Sequence, residues 1–242
     1  MTTSWDKTIM FWDPRSPGPP KTGLQLSERV FAADLHEATG IAVTADHNIH
    51  VFDIRLTGQG QQPGLTRAPF PITPLKLTPR AIKLFKGNEG TFAVASIEGR
   101  CSVRNIDQTK DDAKEPNPTK PHEQRTKSFA FRCHRDAQYI YPVNFIAVHP
   151  MQHAVFATGG SDGITTIWNQ KERLKLQEIP KTAAPATAKK TPVNDGTWDA
   201  TGEYFAFGCS YDWSKGQEYY KKDEPPVISI RRTDAAYLTK KK

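Results

Sequence analysis

The sequence is poor in the features that mark a disulfide scaffold, a membrane span or a hydrolase. Cysteine is scarce: Cys101, Cys133 and Cys209 are an odd number, widely spaced, with no CxxC pair. That excludes a disulfide framework. It points to a reducing compartment, cytosol or nucleus, with the thiols buried as small hydrophobes. Long apolar runs are lacking too. The longest stretch without Asp, Glu, Lys or Arg is 137–161, and Asn144, His149, Pro150, Gln152 and His153 interrupt it. No membrane insertion is expected from it. The first residues hold no basic region followed by an apolar run, so no secretory leader is expected there.

Catalytic signatures are equally sparse. There is no Gly-x-Ser-x-Gly elbow, and residues 58–64 (Gly-Gln-Gly-Gln-Gln-Pro-Gly) lack the spacing and Lys-Ser/Thr ending of a phosphate loop. His36-Glu37 has no second His four residues on. His47 and His50 are expected on one alternating strand, where residues three apart face opposite sides. Cys133 and His134, as strand neighbours, are expected to point apart. No catalytic residue, metal site, cofactor or small-molecule substrate is therefore expected.

What is present is turn-forming and β-prone. The 242 residues include 19 Pro and 16 Gly, more than a helical protein carries. Hydrophobic residues at 37% suffice for a core, and a net charge of +7 suits an acidic partner or nucleic acid.

A repeat organises the chain. Asp6 precedes Trp12 by six residues, and Asp162 precedes Trp168 by six. Asp46 and Phe52, and Glu98 and Arg104, keep the same register. Before each of the last three acids lies a small, apolar, β-prone run: 40–45, 91–96 and 155–160. Another strand lies upstream of each, at 30–35, 81–85 and 143–148, and a fifth copy covers 196–208. Each unit reads strand, tight turn, strand. The acids stand 40, 52 and 64 residues apart. The shortest interval matches one four-stranded propeller blade of about 40–45 residues. Longer intervals hold polar, Pro-rich insertions, which cost little in surface loops.

The acids and tryptophans are expected to be structural. A turn acid accepts hydrogen bonds from turn amides and a nearby His, while the Trp packs over the blade and donates its indole N–H. Thr158, Asp162 and Trp168 supply three members of such a network, with His134 and His149 the two candidates for the fourth.

The expected fold is all-β, a β-propeller with half a blade plus four blades of a seven-bladed ring. The divisions are 1–13 (half-blade), 24–56, 75–135, 139–180 and 193–233 (blades), and 234–242, a basic tail. Stretches 14–23, 58–74, 107–128 and 181–192 read as loops, with 107–128 mobile and 181–192 an insertion. Because the chain opens inside a blade, it is expected to be part of a longer ring, and prone to aggregate alone.

Several segments carry a resemblance. They are 96–100 (Ser-Ile-Glu-Gly-Arg), 129–135 (Phe-Ala-Phe-Arg-Cys-His-Arg), 140–144 (Ile-Tyr-Pro-Val-Asn), 156–163 (Phe-Ala-Thr-Gly-Gly-Ser-Asp-Gly) and 210–216 (Ser-Tyr-Asp-Trp-Ser-Lys-Gly). With 4–9 and 24–29, they resemble the WD-repeat mRNA export factors of the nuclear pore, of the Rae/Gle type. The related Bub-type checkpoint proteins share the first four and depart at 210–216.

The resemblance implies a non-enzymatic adaptor in the nucleus, at the pore of the nuclear envelope, with access to the cytoplasm. It implies two partners: a GLEBS-type peptide of a Phe-Gly-repeat nucleoporin, and single-stranded RNA or mRNP. It places Arg100 on the peptide, where its guanidinium offers carboxylates a bidentate fork. It places Phe131, Trp168, Arg173 and Lys175 along an RNA-side groove, where aromatic faces stack bases and cations meet phosphates. Blade core for the two rings and solvated surface for the cations are the plainer alternatives. Asn169-Gln170 stands where the family usually has Asp-Lys. The alternative function is a mitotic spindle checkpoint scaffold binding kinetochore-kinase peptides.

Overall fold

In the computed structural model, residues 1–15, 18–19, 22–56, 64–66, 68–72, 74–87, 90–107, 128–179, 191–220, 222, 225–233 and 238 are described. The expected mobile loop, the insertion at 181–192 and the basic tail lie almost wholly outside them.

The described residues form five antiparallel sheets, in sequence order. The first holds β1 (Thr2–Thr3), β2 (Thr8–Phe11) and β3 (Thr22–Gln25). The second holds β4 (Val30–His36), β5 (Thr39–Thr44), β6 (Asn48–Asp53) and β7 (Gly64–Leu65), with β8 (Phe70–Pro71) also on β6. The third holds β9 (Pro79–Leu84), β10 (Thr91–Ser96), β11 (Arg100–Asn105) and β12 (Phe129–Arg132). The fourth holds β13 (Val143–Val148), β14 (Val155–Gly160), β15 (Thr165–Asn169) and β16 (Leu174–Ile179). The fifth holds β17 (Val193–Trp198), β18 (Tyr204–Cys209) and β19 (Val227–Arg232). Two short 3-10 turns, Ile54–Leu56 and Gln217–Tyr219, are the remaining regular elements among the described residues, so no described helix is long enough to cross a membrane.

The first strands stand side by side, β4 against β9, β9 against β13, and β13 against β17. The sheets stack face on face around that row, which is the propeller arrangement. Stacking explains why the second strands read as continuous apolar runs. A strand buried on one face alternates apolar and polar, but one buried on both has no polar side to offer. In β5, Ile41 and Val43 pack toward the third sheet while Ala42 packs toward the first. In β10, Phe92 and Val94 face the second sheet, and Ala93 and Ala95 face the fourth. In β14, Ala157 joins the core shared with the fifth sheet and Phe156 the core shared with the third. Two close approaches demand glycine: a Cβ on Gly40 would lie 2.0 Å from the Phe52 ring, and one on Gly159 2.0 Å from Phe145.

Three expectations change here. Residues 24–25, read as the start of the 24–56 blade, belong to β3 and pair with β2, so the first sheet has three strands. The stretch 58–74, read as loop, contains β7 and β8. They pair with opposite ends of β6, Phe52 with Leu65 and Ile49 with Phe70, and so share the place of one fourth strand. Their Pro- and Gly-rich composition hid them, because an edge strand needs few backbone donors. His47 lies in the turn before β6, with a φ of +61°, not on the strand with His50.

His149 and His50 are buried, and burial lowers both pKa values from the ordinary 6.5. His149 Nδ1 accepts the amide N–H groups of Met151 (3.2 Å) and Gln152 (2.9 Å), an arrangement that needs the unprotonated nitrogen. Unfolded histidine titrates near about 6.5. Below that pH the unfolded chain holds more protons than the native one. The stabilisation from these residues is thus complete above it and lost as pH falls. The melting temperature should drop by several degrees between about pH 7.5 and about pH 5.5, and less in His149→Gln. A flat profile over that window would contradict the assignment.

Candidate functional site

Four side chains, three of them buried and Trp168 partly so, join the third and fourth sheets. His134 follows β12, and its imidazole turns into the fourth sheet. Nδ1 lies 2.9 and 3.1 Å from the two carboxylate oxygens of Asp162, and Nε2 lies 2.9 Å from the Thr158 hydroxyl. That hydroxyl also accepts the Trp168 indole N–H at 2.9 Å. Asp162 accepts the Ile164 amide as well, closing the turn between β14 and β15. His134 therefore occupies the fourth place. His149 is engaged elsewhere, between the Gly202 carbonyl and the Trp198 ring.

The order Thr158, His134, Asp162 has the hydrogen-bond geometry of a nucleophile, base and orienting acid. Its surroundings rule out that use. Thr158 has 0% exposure, and its oxygen is already committed to the Trp168 donor. Cys133, next in sequence to His134, is buried; desolvation foremost, with Asp162 nearby, pushes its thiol to about 12. Both residues follow β12 rather than lying on it, a correction to the strand-neighbour expectation. Among the described residues no three His, Cys, Asp or Glu side chains converge as metal ligands.

The spacing repeats in the first sheet, where the Trp12 indole donates to the Thr2 hydroxyl at 2.8 Å. Asp6 caps the turn by accepting the amide and hydroxyl of Thr8. Thr2 was not singled out from sequence, although it precedes Asp6 by the same four residues that separate Thr158 from Asp162. At the other two turns the acids find local partners. Asp46 accepts from Thr44, Ser27 and Asn48, and Glu98 from the Lys76 amide and Ser96.

Trp168 also faces outward. A cavity of about 280 Å³ is lined by Phe129, Phe131, Arg132, Trp168, Arg173 and Leu174, among others. The Phe131 and Trp168 rings are 4.5 Å apart and tilted by 49°, and Phe129 stacks on Phe131 at 5.9 Å. Arg173, in the turn between β15 and β16, has a φ of +56°. Its guanidinium sits 4.8 Å from the centre of the Phe129 ring, a cation–π contact. Phe131, Trp168 and Arg173 thus meet in one place, and Phe129 and Arg132 join them. Phe129 shares the face of Phe131 by strand alternation, a signal the sequence did offer.

Lys175 stands apart. It pairs in register with Trp168 across β15 and β16, but its ammonium lies 2.9 Å from Glu178 and it does not line the cavity. Arg100 opens β11 at the acid-turn end of the third sheet, with Nη1 4.0 Å from Glu98. A larger cavity, about 410 Å³, lies along the row of first strands and is lined by Asp34, Lys83, Asp195, Trp198 and others. Lys83 and Asp34 pair there at 2.9 Å, and Lys86, Asp195 and Asp199 also line it.

Thr158→Val should strand the buried His134 Nε2 at about 1–3 kcal/mol, and the part-buried Trp168 N–H at a smaller further cost. Thr2→Val, next to a Trp12 that is 48% exposed, should cost less than about 1 kcal/mol. Denaturant unfolding of the two variants checks the difference, and equal losses would refute it.

No family model matches the chain. Relatives match nearly all of it. "Protein Rae1" of Drosophila melanogaster is 35% identical over 239 residues, 96% of this chain and 60% of that protein. "Poly(A)+ RNA export protein" of Schizosaccharomyces pombe is 32% identical, over 95% of this chain and 57% of its own length. "Mitotic checkpoint protein BUB3.1" of Arabidopsis thaliana is 30% identical, over 96% and 61%. The chain thus spans about three fifths of the curated relatives it matches. With five stacked antiparallel sheets and Thr–Asp–Trp turns, the chain has the fold of a WD-repeat β-propeller and is similar over nearly its whole length to the mRNA export factors of the Rae/Gle type.

Proposed function

We propose that this protein is a non-enzymatic adaptor in mRNA export, acting in the nucleus at the nuclear pore. In this reading it holds single-stranded RNA in the Phe129–Phe131–Trp168 cavity. It also holds a GLEBS-type nucleoporin peptide at Arg100. The observation that carries the RNA half is the convergence of three aromatic rings with Arg132 and Arg173 at one surface cavity. Aromatic faces accept any base, and the guanidinium groups meet the backbone. Lys175 does not line the cavity, and its pairing with Glu178 leaves little net charge beside it. Arg100 is half-buried and its contact with Glu98 is long, so its guanidinium can be redirected to a peptide carboxylate at little cost.

The second reading, a checkpoint scaffold binding kinetochore-kinase peptides, rests on the 30% identical plant relative. It predicts peptide binding without RNA.

The distinguishing measurement is binding to poly(U). Affinity should fall steeply between about 50 mM and about 200 mM salt. Phe131→Ala and Arg173→Ala should each weaken it by about tenfold, and Arg173→Ala should reduce the salt slope by about 0.7. Arg100→Ala should leave poly(U) binding alone and weaken a GLEBS peptide. Salt-independent or absent RNA binding would remove the RNA half and leave the scaffold reading.

A further inference from the structure

The turn between the second and third strands is short in three sheets: 45–47, 97–99 and 161–164. In the fifth sheet the same connection runs from 210 to 226. Connections of this length are uncommon inside a compact domain and are usually functional when ordered. This one includes the 210–216 run, which neither the tetrad nor the RNA cavity uses.

Its first part, 210–216, is well anchored. Asp212 accepts hydrogen bonds from Ser161 of the preceding sheet at 2.5 Å, and from the amide and hydroxyl of Ser214. The Tyr211 hydroxyl donates to the Gly216 carbonyl at 2.7 Å. On that frame sit aromatic rings that enter no core. Trp213 and Tyr220 stack in parallel at 5.1 Å and 13°, and Tyr211 flanks Trp213 at 5.4 Å. Trp213 is 56% exposed, Tyr219 60% and Tyr220 45%. Trp213 also has a φ of +59°, a conformation costly for a bulky residue and concentrated at functional sites.

We infer that this stacked aromatic ledge, Tyr211, Trp213 and Tyr220, is a docking surface for a proline-rich segment of a partner protein. Three features select that occupant. The first is charge. Residues 210–226 carry three lysines against four carboxylates in a chain of net charge +7, so a polyphosphate backbone gains little here. The second is shape. Trp213 and Tyr220 are stacked within 13° of parallel and both are exposed, so the surface offers large ring faces. The third is hydrogen bonding. The N–H of Gly216 is taken by the Trp213 carbonyl and its carbonyl by Tyr211, so Gly216 offers a peptide no free backbone group and the exposed rings are the main contact surface. A polyproline II segment suits it, because its rings pack on aromatic faces and its conformation is already set.

The probe is decaproline, titrated calorimetrically into the 242-residue chain, with a Gly-Ser peptide of equal length as control. Decaproline should bind and the control should not. Tyr220→Ala and Trp213→Gly should each weaken binding by at least about tenfold, as expected for loss of an aromatic anchor. Trp213→Gly should also raise Tm, because glycine relieves the positive φ. Excess poly(U) should leave decaproline bound. The inference is overturned if decaproline does not bind, if Trp213→Gly binds it normally, or if Trp213→Gly lowers Tm, which would make the ring structural. Displacement by poly(U) would reassign the ledge to RNA.

Discussion

The hydrogen bond from His134 to Asp162 is the contact on which the rest of this structure hangs. His134 belongs to the end of the third sheet and Asp162 to a turn of the fourth, so the bond fixes one sheet against the next. Hydrophobic stacking alone cannot do this, since apolar faces tolerate sliding. A buried polar network tolerates none, because each unmatched donor or acceptor carries a desolvation cost. Through Thr158 the same network fixes the Trp168 indole, and the outer side of that ring meets Phe131 at the cavity. One side chain therefore closes the fold and shapes the proposed RNA surface. Next to it, Ser161 reaches Asp212 and ties the fourth sheet to the fifth.

Charge is distributed less freely than a total of +7 suggests. Arg15 pairs with Asp13, Arg55 with Asp53, Lys7 with Glu28, and Lys175 with Glu178. Such exposed pairs contribute little stability, yet they cancel local field. The Arg173 guanidinium lies over an aromatic ring beside an open cavity. For nucleic-acid contact, the cation beside a stacking face counts for more than the excess of lysine over acid.

Much of this was legible in the chain itself. The interval of six between acid and tryptophan, and the unbroken apolar runs before the acids, followed from β-sheet periodicity and double-sided burial. Phe131, Trp168 and Arg173 were singled out by resemblance, and the fold brings them together. Lys175 was grouped with them, but its side chain leaves the cavity for Glu178. A register argument places a Cα; it does not choose between a neighbour's carboxylate and an open groove.

What the sequence by itself determined was local: strands, tight turns, and which residues carry the repeat. Periods of two and fixed turn spacings are written in neighbouring residues, so they survive without knowledge of the fold. Tertiary structure alone decided which histidine completes the Thr158–Asp162–Trp168 network. His134 and His149 were equal candidates along the chain, and the path after β12 delivers only His134 to Asp162. It also made strands of the Pro- and Gly-rich β7 and β8, whose pairing on β6 overrides weak propensity. And it set an aromatic ledge on the long connection after β18, which a serine 51 residues away pins in place.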